Sequence, residues 1–202
     1  MKLILETDVM EEYLRVLEVV DYTHPSILKK VDELFTREDS EIEKVKKAFE
    51  FVRDEISHSW DIQGTRVTCK ASDVLFYKEG ICYAKSNLLA ALLRAEGIPT
   101  GFCYQRLMIF DTPDQGYSLH TLNGVYLQSM GCWIRLDARG NKPGVEAEFA
   151  IDDEKLAFDV REVFDEIDYP TIFAKPNTKT IATLQKHINA IEMYKHHLPE
   201  YI

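Results

Sequence analysis

One segment limits the folds open to this chain more than any other. From Cys82 to Glu96 the residues are apolar on nearly every side of a helix, above all over Leu88–Leu93. A surface helix carries one apolar stripe, whereas a helix apolar all round must be buried against several neighbours, which places this one at the centre of the molecule. Gly97-Ile98-Pro99 closes it, because glycine accepts a left-handed cap and proline cannot continue a helix. From Thr100 the apolar period changes to two. Phe102–Phe110, His120–Gln128 and Cys132–Asp137 are rich in aromatic and branched residues and are bounded by Gly101, Pro113, Gly116 and Gly131, so they predict an antiparallel meander.

Flanking patterns complete the fold class. Pro25 opens a helical repeat of Ile27, Leu28, Val31, Leu34 and Phe35, with proline tolerated in a first turn. Ser40 and Glu43 form a capping box ahead of Ile42, Val45, Phe49, Val52 and Ile56. Trp60–Gly64 breaks the periodicity as a loop, after which Ser72 is placed to cap a short helix through Phe76. Ile181, Leu184, Ile188 and Ile191 predict one closing amphipathic helix. With no repeat or linker, residues 1–202 read as a single α+β domain: a central helix on an antiparallel sheet, with flanking N- and C-terminal helices.

Composition removes several function classes. Lys and Arg number 24 against 34 Asp and Glu, a net charge of −10, the reverse of the basic footprint that a phosphate backbone demands. Nucleic acid is excluded as a partner. The longest unbroken apolar run, Leu88–Leu93, is six residues, whereas a bilayer span needs about 20. A membrane partner is excluded too. Only Leu3-Ile4-Leu5 precedes Glu6, too short for a signal-peptide core of about 7 residues, which predicts a cytoplasmic protein. Cys69, Cys82, Cys103 and Cys132 are spaced by 13, 21 and 29 residues without a CxxC pair. Neither a metal site nor a redox dithiol is expected, no cofactor is implied, and reduced thiols suit a reducing compartment. Ten acids between Glu146 and Asp168 face only Lys155 and Arg161, a local balance of −8 that reads as a solvated acidic face.

Chemistry gathers around one cysteine. Cys82 falls in the first turn of the central helix, where free backbone amides and the positive dipole end favour an anion such as a thiolate. Helix N-termini and adjacent imidazolium groups activate thiols as nucleophiles. Of the six histidines, His120 alone begins a strand downstream of that helix. An activating imidazole needs an acceptor on its second nitrogen, and Asp137 ends the next strand. If the hairpin between the strands pairs residues whose numbers sum to 259, Asp137 lies opposite Leu122 and shares the face of His120. A loop of two or four residues gives this parity, and a loop of three turns Asp137 to the other face. An acyl-transfer site also needs donors for an oxyanion, for which the Cys82 amide, Trp60 and Gln63 are candidates.

The stretches Ala71-Ser72-Asp73-Val74-Leu75, Gly80-Ile81-Cys82 and Leu92–Pro99, followed by His120 with Asn123 and Tyr126 and then Trp133–Asp137, resemble the core of the transglutaminase-like superfamily, relatives of the papain-like cysteine peptidases and acyltransferases. The resemblance covers about Val52–Gly140. It implies Cys82 as nucleophile, His120 as general base and acid, and Asp137 as the orienting carboxylate. The implied activity is that of a cysteine-dependent hydrolase or acyltransferase, cleaving an amide or ester in a peptide, protein or small molecule through a thioester on Cys82. Hydrolysis is favoured over cross-linking, since water is always available and a small domain offers no evident second docking surface. The alternative is a catalytically idle transglutaminase-like module used for binding.

Overall fold

A computed structural model describes residues 1–202, apart from the side chains of Asp111 and Pro113. In chain order the elements are β1 (Ile4–Leu5), α1 (Pro25–Leu34), α2 (Glu41–Glu55), β2 (Ser57–His58), α3 (Ala71–Tyr77), β3 (Glu79–Gly80), α4 (Cys82–Ala95), β4 (Thr100–Met108), β5 (Tyr117–Leu127), β6 (Cys132–Leu136), β7 (Ile167–Asp168), β8 (Thr171–Ile172), α5 (Thr178–Lys186) and α6 (Ala190–His196), with short 3-10 turns between them.

The central helix behaves as its composition dictates. Every residue of α4 from Cys82 to Arg94 is buried, with α1, α2 and α3 packed on its outer sides and the sheet on the other. Leu88, Leu89, Leu92 and Leu93 are fully buried, and truncating any such leucine to alanine costs about 2–5 kcal/mol. Arg94 anchors the far end by donating to the carbonyls of Arg15, Thr100 and Ala174. Gly97, at φ +72°, makes the expected left-handed turn out of the helix.

The main sheet runs β6-β5-β4-β7, all antiparallel. Strands β5 and β6 pair Asn123 with Leu136, Tyr126 with Trp133 and Leu127 with Cys132, the register whose numbers sum to 259. The turn between them spans four residues, 128–131, and Gly131 at φ +65° closes it. Two paired glycines thin the sheet where the tail of the chain crosses it. A Cβ on Gly101 would lie 2.7 Å from the carbonyl of Phe173, and one on Gly124 would lie 2.8 Å from Ile172.

Capping explains the flanking helices. Ser40 and Glu43 form the reciprocal capping box of α2. Ser72, expected as a helix cap, instead lies inside α3, where the Asp21 carboxylate accepts from both its amide and its hydroxyl. A distant carboxylate thus does the work assigned to a local serine. The single closing helix expected from Ile181 to Ile191 is two helices, because the Asn189 side chain accepts from the amides of Ile191 and Glu192 and starts α6 anew. Ile188, expected on the apolar stripe, is 94% exposed between them. The acidic segment is only partly a solvated face. Glu154 and Asp168 grip the buried Arg135 guanidinium, and Glu166 is itself buried against Arg161. Among the described residues, no helix is long and apolar enough to cross a membrane.

Candidate active site

Cys82 is the first residue of α4, and its N-cap Ile81 offers no side-chain acceptor; the Ala84 amide is taken by the Ile81 carbonyl, so the uncapped first-turn amides are those of Cys82 and Tyr83. Polar ties hold this turn to β5 on both sides of His120. The Tyr83 hydroxyl donates to the Leu119 carbonyl at 2.9 Å, and the Ser86 hydroxyl donates to the Thr121 carbonyl at 3.2 Å. Asn123 returns a bond from β5 to the Ser86 carbonyl at 3.2 Å. Helix and strand are therefore stapled at the residues flanking the imidazole, which leaves Cys82 and His120 little freedom to separate.

His120 bonds through Nε2 to Oδ2 of Asp137 at 2.7 Å, both side chains buried. Burial by itself disfavours the imidazolium, but the Asp137 charge and the Cys82 sulfur outweigh it and push His120 up to about 10. Asp137 shows the mirror effect. Burial raises a carboxyl, yet the charge and hydrogen bond of His120, with the amides of Ala157 and Arg139 at 3.1 and 3.2 Å, hold this one below the usual carboxylate range. The geometry describes an imidazolium–carboxylate pair, and its imidazole lines the same cavity as Cys82.

Further out, Arg139 and Lys142 converge on Asp61, with Arg139 Nη2 at 2.9 Å and Lys142 Nζ at 2.8 Å from Oδ1. Burial works against ionisation of Asp61, but these two donors bring it down to about 2. The loop after β2 is thereby clamped to the segment following β6. One turn after Cys82, buried Lys85 donates to the carbonyls of Arg53 and Ile56 at the end of α2, and burial lowers it to about 7.

Cys82 and His120 line a cavity of about 570 Å³ whose walls include Trp60, Phe110, Phe158 and Tyr194. Gln63 does not border it. That residue is exposed and folds its side-chain amide back onto the Trp60 carbonyl at 2.6 Å. Trp60, by contrast, lines the cavity. Two contributors went unread in the sequence. His58 is a buried wall residue whose Nδ1 has no hydrogen-bond partner among the described residues; burial first, and then the Arg139 charge, keep it well below the usual histidine range. The Ala157 amide, in the acidic segment, bonds Asp137. His58 could have been flagged only by its place between the end of α2 and the loop bearing Trp60; a backbone amide has no sequence signature. Among the described residues, no group of three or more His, Cys, Asp or Glu side chains could hold a metal ion.

Comparison with known proteins places this geometry. No curated protein sequence matches the chain. Among solved structures it is similar to one named "Putative Cysteine Protease" from Cytophaga hutchinsonii, at 20% identity and a TM-score of 0.51 over 66% of this chain and 43% of that one. It also aligns with the structure of a TGase at 14% identity and a TM-score of 0.42, over 91% of this chain and 51% of that one. The chain thus spans about half the length of the structures it matches. The first likeness agrees with the α+β core described above. Residues 29–138 match the family model of the transglutaminase-like superfamily, starting upstream of the Val52–Gly140 stretch that carries the resemblance and taking in α2 and most of α1. With that match covering more than half its length, the chain belongs to the transglutaminase-like superfamily.

Proposed function

We propose that the protein is a cysteine-dependent hydrolase of amide or ester bonds, with Cys82 as nucleophile, His120 as proton carrier and Asp137 as its orienting carboxylate. The observation that carries this reading is the His120–Asp137 pair, buried at 2.7 Å on a strand stapled to the helix that opens with Cys82. A charged imidazole is the partner that sustains a thiolate, and family membership supports the same assignment.

In this reading the Cys82 sulfur adds to the substrate carbonyl carbon, forming the C–S bond while the carbonyl π pair moves onto oxygen. The tetrahedral species collapses, the C–N or C–O bond breaks, and the leaving group takes the Nδ1 proton of the His120 imidazolium. A thioester and a neutral imidazole remain. Water then attacks the thioester as His120 removes its proton, and the second collapse expels the Cys82 thiolate and releases the acid. Asp137 stays ionised throughout and keeps Nε2 occupied, so that the other ring nitrogen faces sulfur and leaving group. Water is taken as the acceptor because it is always available, and the cavity of about 570 Å³ has room for an acyl group and a solvent molecule.

The test is turnover of generic thioester, ester and glutamine-amide probes by wild-type protein and by Cys82→Ala. Turnover that vanishes in the variant is the expected result. A folded wild-type protein that turns over none of the probes overturns the reading and leaves the idle binding module in its place. Brief, sub-stoichiometric iodoacetamide near pH 6 should label Cys82 first, since burial pushes Cys69 up to about 11 and Cys103 up to about 12. First labelling at Cys69, Cys103 or Cys132 removes Cys82 as the nucleophile.

A further inference from the structure

Tyr194 lies on α6, beyond the residues matched to the family, yet it forms a wall of the cavity that holds Cys82. Its ring is fixed by neighbours from the other wall. It stacks on Trp60 with centroids 4.6 Å apart and planes at 17°, and it meets His58 edge-on at 6.0 Å. Phe110 closes on the same pair, 5.2 Å from Trp60. A ring packed in this way cannot swing its hydroxyl elsewhere without breaking the stack.

That hydroxyl makes no hydrogen bond among the described residues, which sets it apart from the buried tyrosines. Tyr13 donates to the Ile172 carbonyl, Tyr83 donates to the Leu119 carbonyl, and Tyr104 accepts from the Asn177 amide. Tyr194 is only half-buried, so its unpartnered hydroxyl is open to the solvent that a ligand in this cavity would displace and is free to donate to that ligand. Burial, followed by the Cys82 sulfur, pushes the Tyr194 phenol up to about 12, so it keeps its proton at neutral pH and can donate. Tyr194 and Cys82 line the same cavity, in which the carbonyl under attack must sit.

We infer that Tyr194 is a further catalytic residue of this site, its hydroxyl donating to the carbonyl oxygen of the acyl substrate alongside the Cys82 backbone amide. The inference rests on the acyl-transfer reading above. As the C–S bond forms and the carbonyl pair moves to oxygen, the Tyr194 hydrogen bond shortens without giving up its proton. When the pair returns and the leaving group departs, the bond relaxes. A donor fixed before reaction stabilises the charge that develops and needs no reorganisation at that moment.

The test is Tyr194→Phe, which deletes one oxygen and keeps the stacked ring. Loss of one oxyanion donor costs about 100-fold or more in kcat, so kcat on thioester and ester probes should fall by that order with KM little changed. Alkylation of Cys82 by iodoacetamide proceeds by displacement at a saturated carbon and builds no oxyanion. Its rate should therefore match wild type, as should the thermal midpoint. An unchanged kcat overturns the assignment to Tyr194 while leaving the acyl-transfer reading intact. Alkylation slowed as much as turnover also overturns it, since Tyr194 would then act on the sulfur and not on the substrate oxygen. A wild-type protein without turnover takes down both.

Discussion

The two walls of the cavity treat a buried histidine in opposite ways. On the β5–β6 wall His120 meets a carboxylate at 2.7 Å and is held charged, pushed up to about 10. On the β2 wall His58 is equally enclosed but its Nδ1 has no hydrogen-bond partner among the described residues, and it is held neutral. Burial acts on both rings in the same direction, against the cation. What reverses it on one wall is an acceptor whose own charge is held by two backbone amides, those of Ala157 and Arg139. A neighbouring cation, Arg139, reinforces it on the other. The contrast teaches that within one cavity the carboxylate, not the imidazole, decides which histidine is held charged.

The largest expected effect comes from removing the charged ring. His120→Ala should lower turnover by roughly 1,000-fold, within the range for loss of a general acid–base group, and should flatten the pH profile of Cys82 alkylation. An unchanged alkylation profile would mean that His120 does not sustain the thiolate. Next in size is Asp137→Ala, which strands a buried imidazolium. Breaking such a pair costs about 3–5 kcal/mol, measurable by urea unfolding near pH 6, and a loss below about 1 kcal/mol would show that the pair is not ionic.

A pH series sharpens the comparison further, since the two rings contribute with opposite sign. His120 is raised above its unfolded value, so its stabilisation is complete below about pH 6.5 and is lost as pH climbs toward about 10. Its partner Asp137 is lowered, so its contribution is present above the unfolded carboxyl value and fades only at more acid pH. His58 is lowered, so it adds nothing above about pH 6.5 and costs stability as pH falls below that, on the order of 1 kcal/mol per pH unit. His58→Gln should therefore flatten the acid side of the stability curve, and His120→Gln the alkaline side. Variants that alter the same limb would undo the contrast. The smallest effect is expected at Gln63→Ala: an exposed residue away from the cavity should change turnover within about 0.5 kcal/mol, roughly twofold. A loss of 100-fold would return Gln63 to the site as an oxyanion donor.

Much of this was written locally. The all-round apolar character of residues 82–96 specified a buried helix, because only burial on several sides satisfies such a surface. The β5–β6 register was legible only as a condition, since a turn of two or four residues puts His120 and Asp137 on the same face and one of three does not; the structure shows a turn of four. The misreadings also have local causes. The spacing of Ile181, Leu184, Ile188 and Ile191 fits one helix as well as two, and the outcome turned on Asn189 outcompeting continuation by bonding the amides of Ile191 and Glu192. Ser72 has the chemistry of a cap, but Asp21, 51 positions away, reached its amide and hydroxyl first.

By itself, then, the sequence determined the buried central helix, the capped second helix, and the order of the Cys82 helix and the strands bearing His120 and Asp137, because periodicity and capping act over a few residues. Only the tertiary structure decided which histidine is charged, that Ala157 supplies an amide to Asp137, and that Tyr194 enters the cavity from α6. Those outcomes depend on charges and backbone amides brought together from segments far apart in the chain, and Coulomb energy and desolvation are set by distance in space and not by distance in sequence.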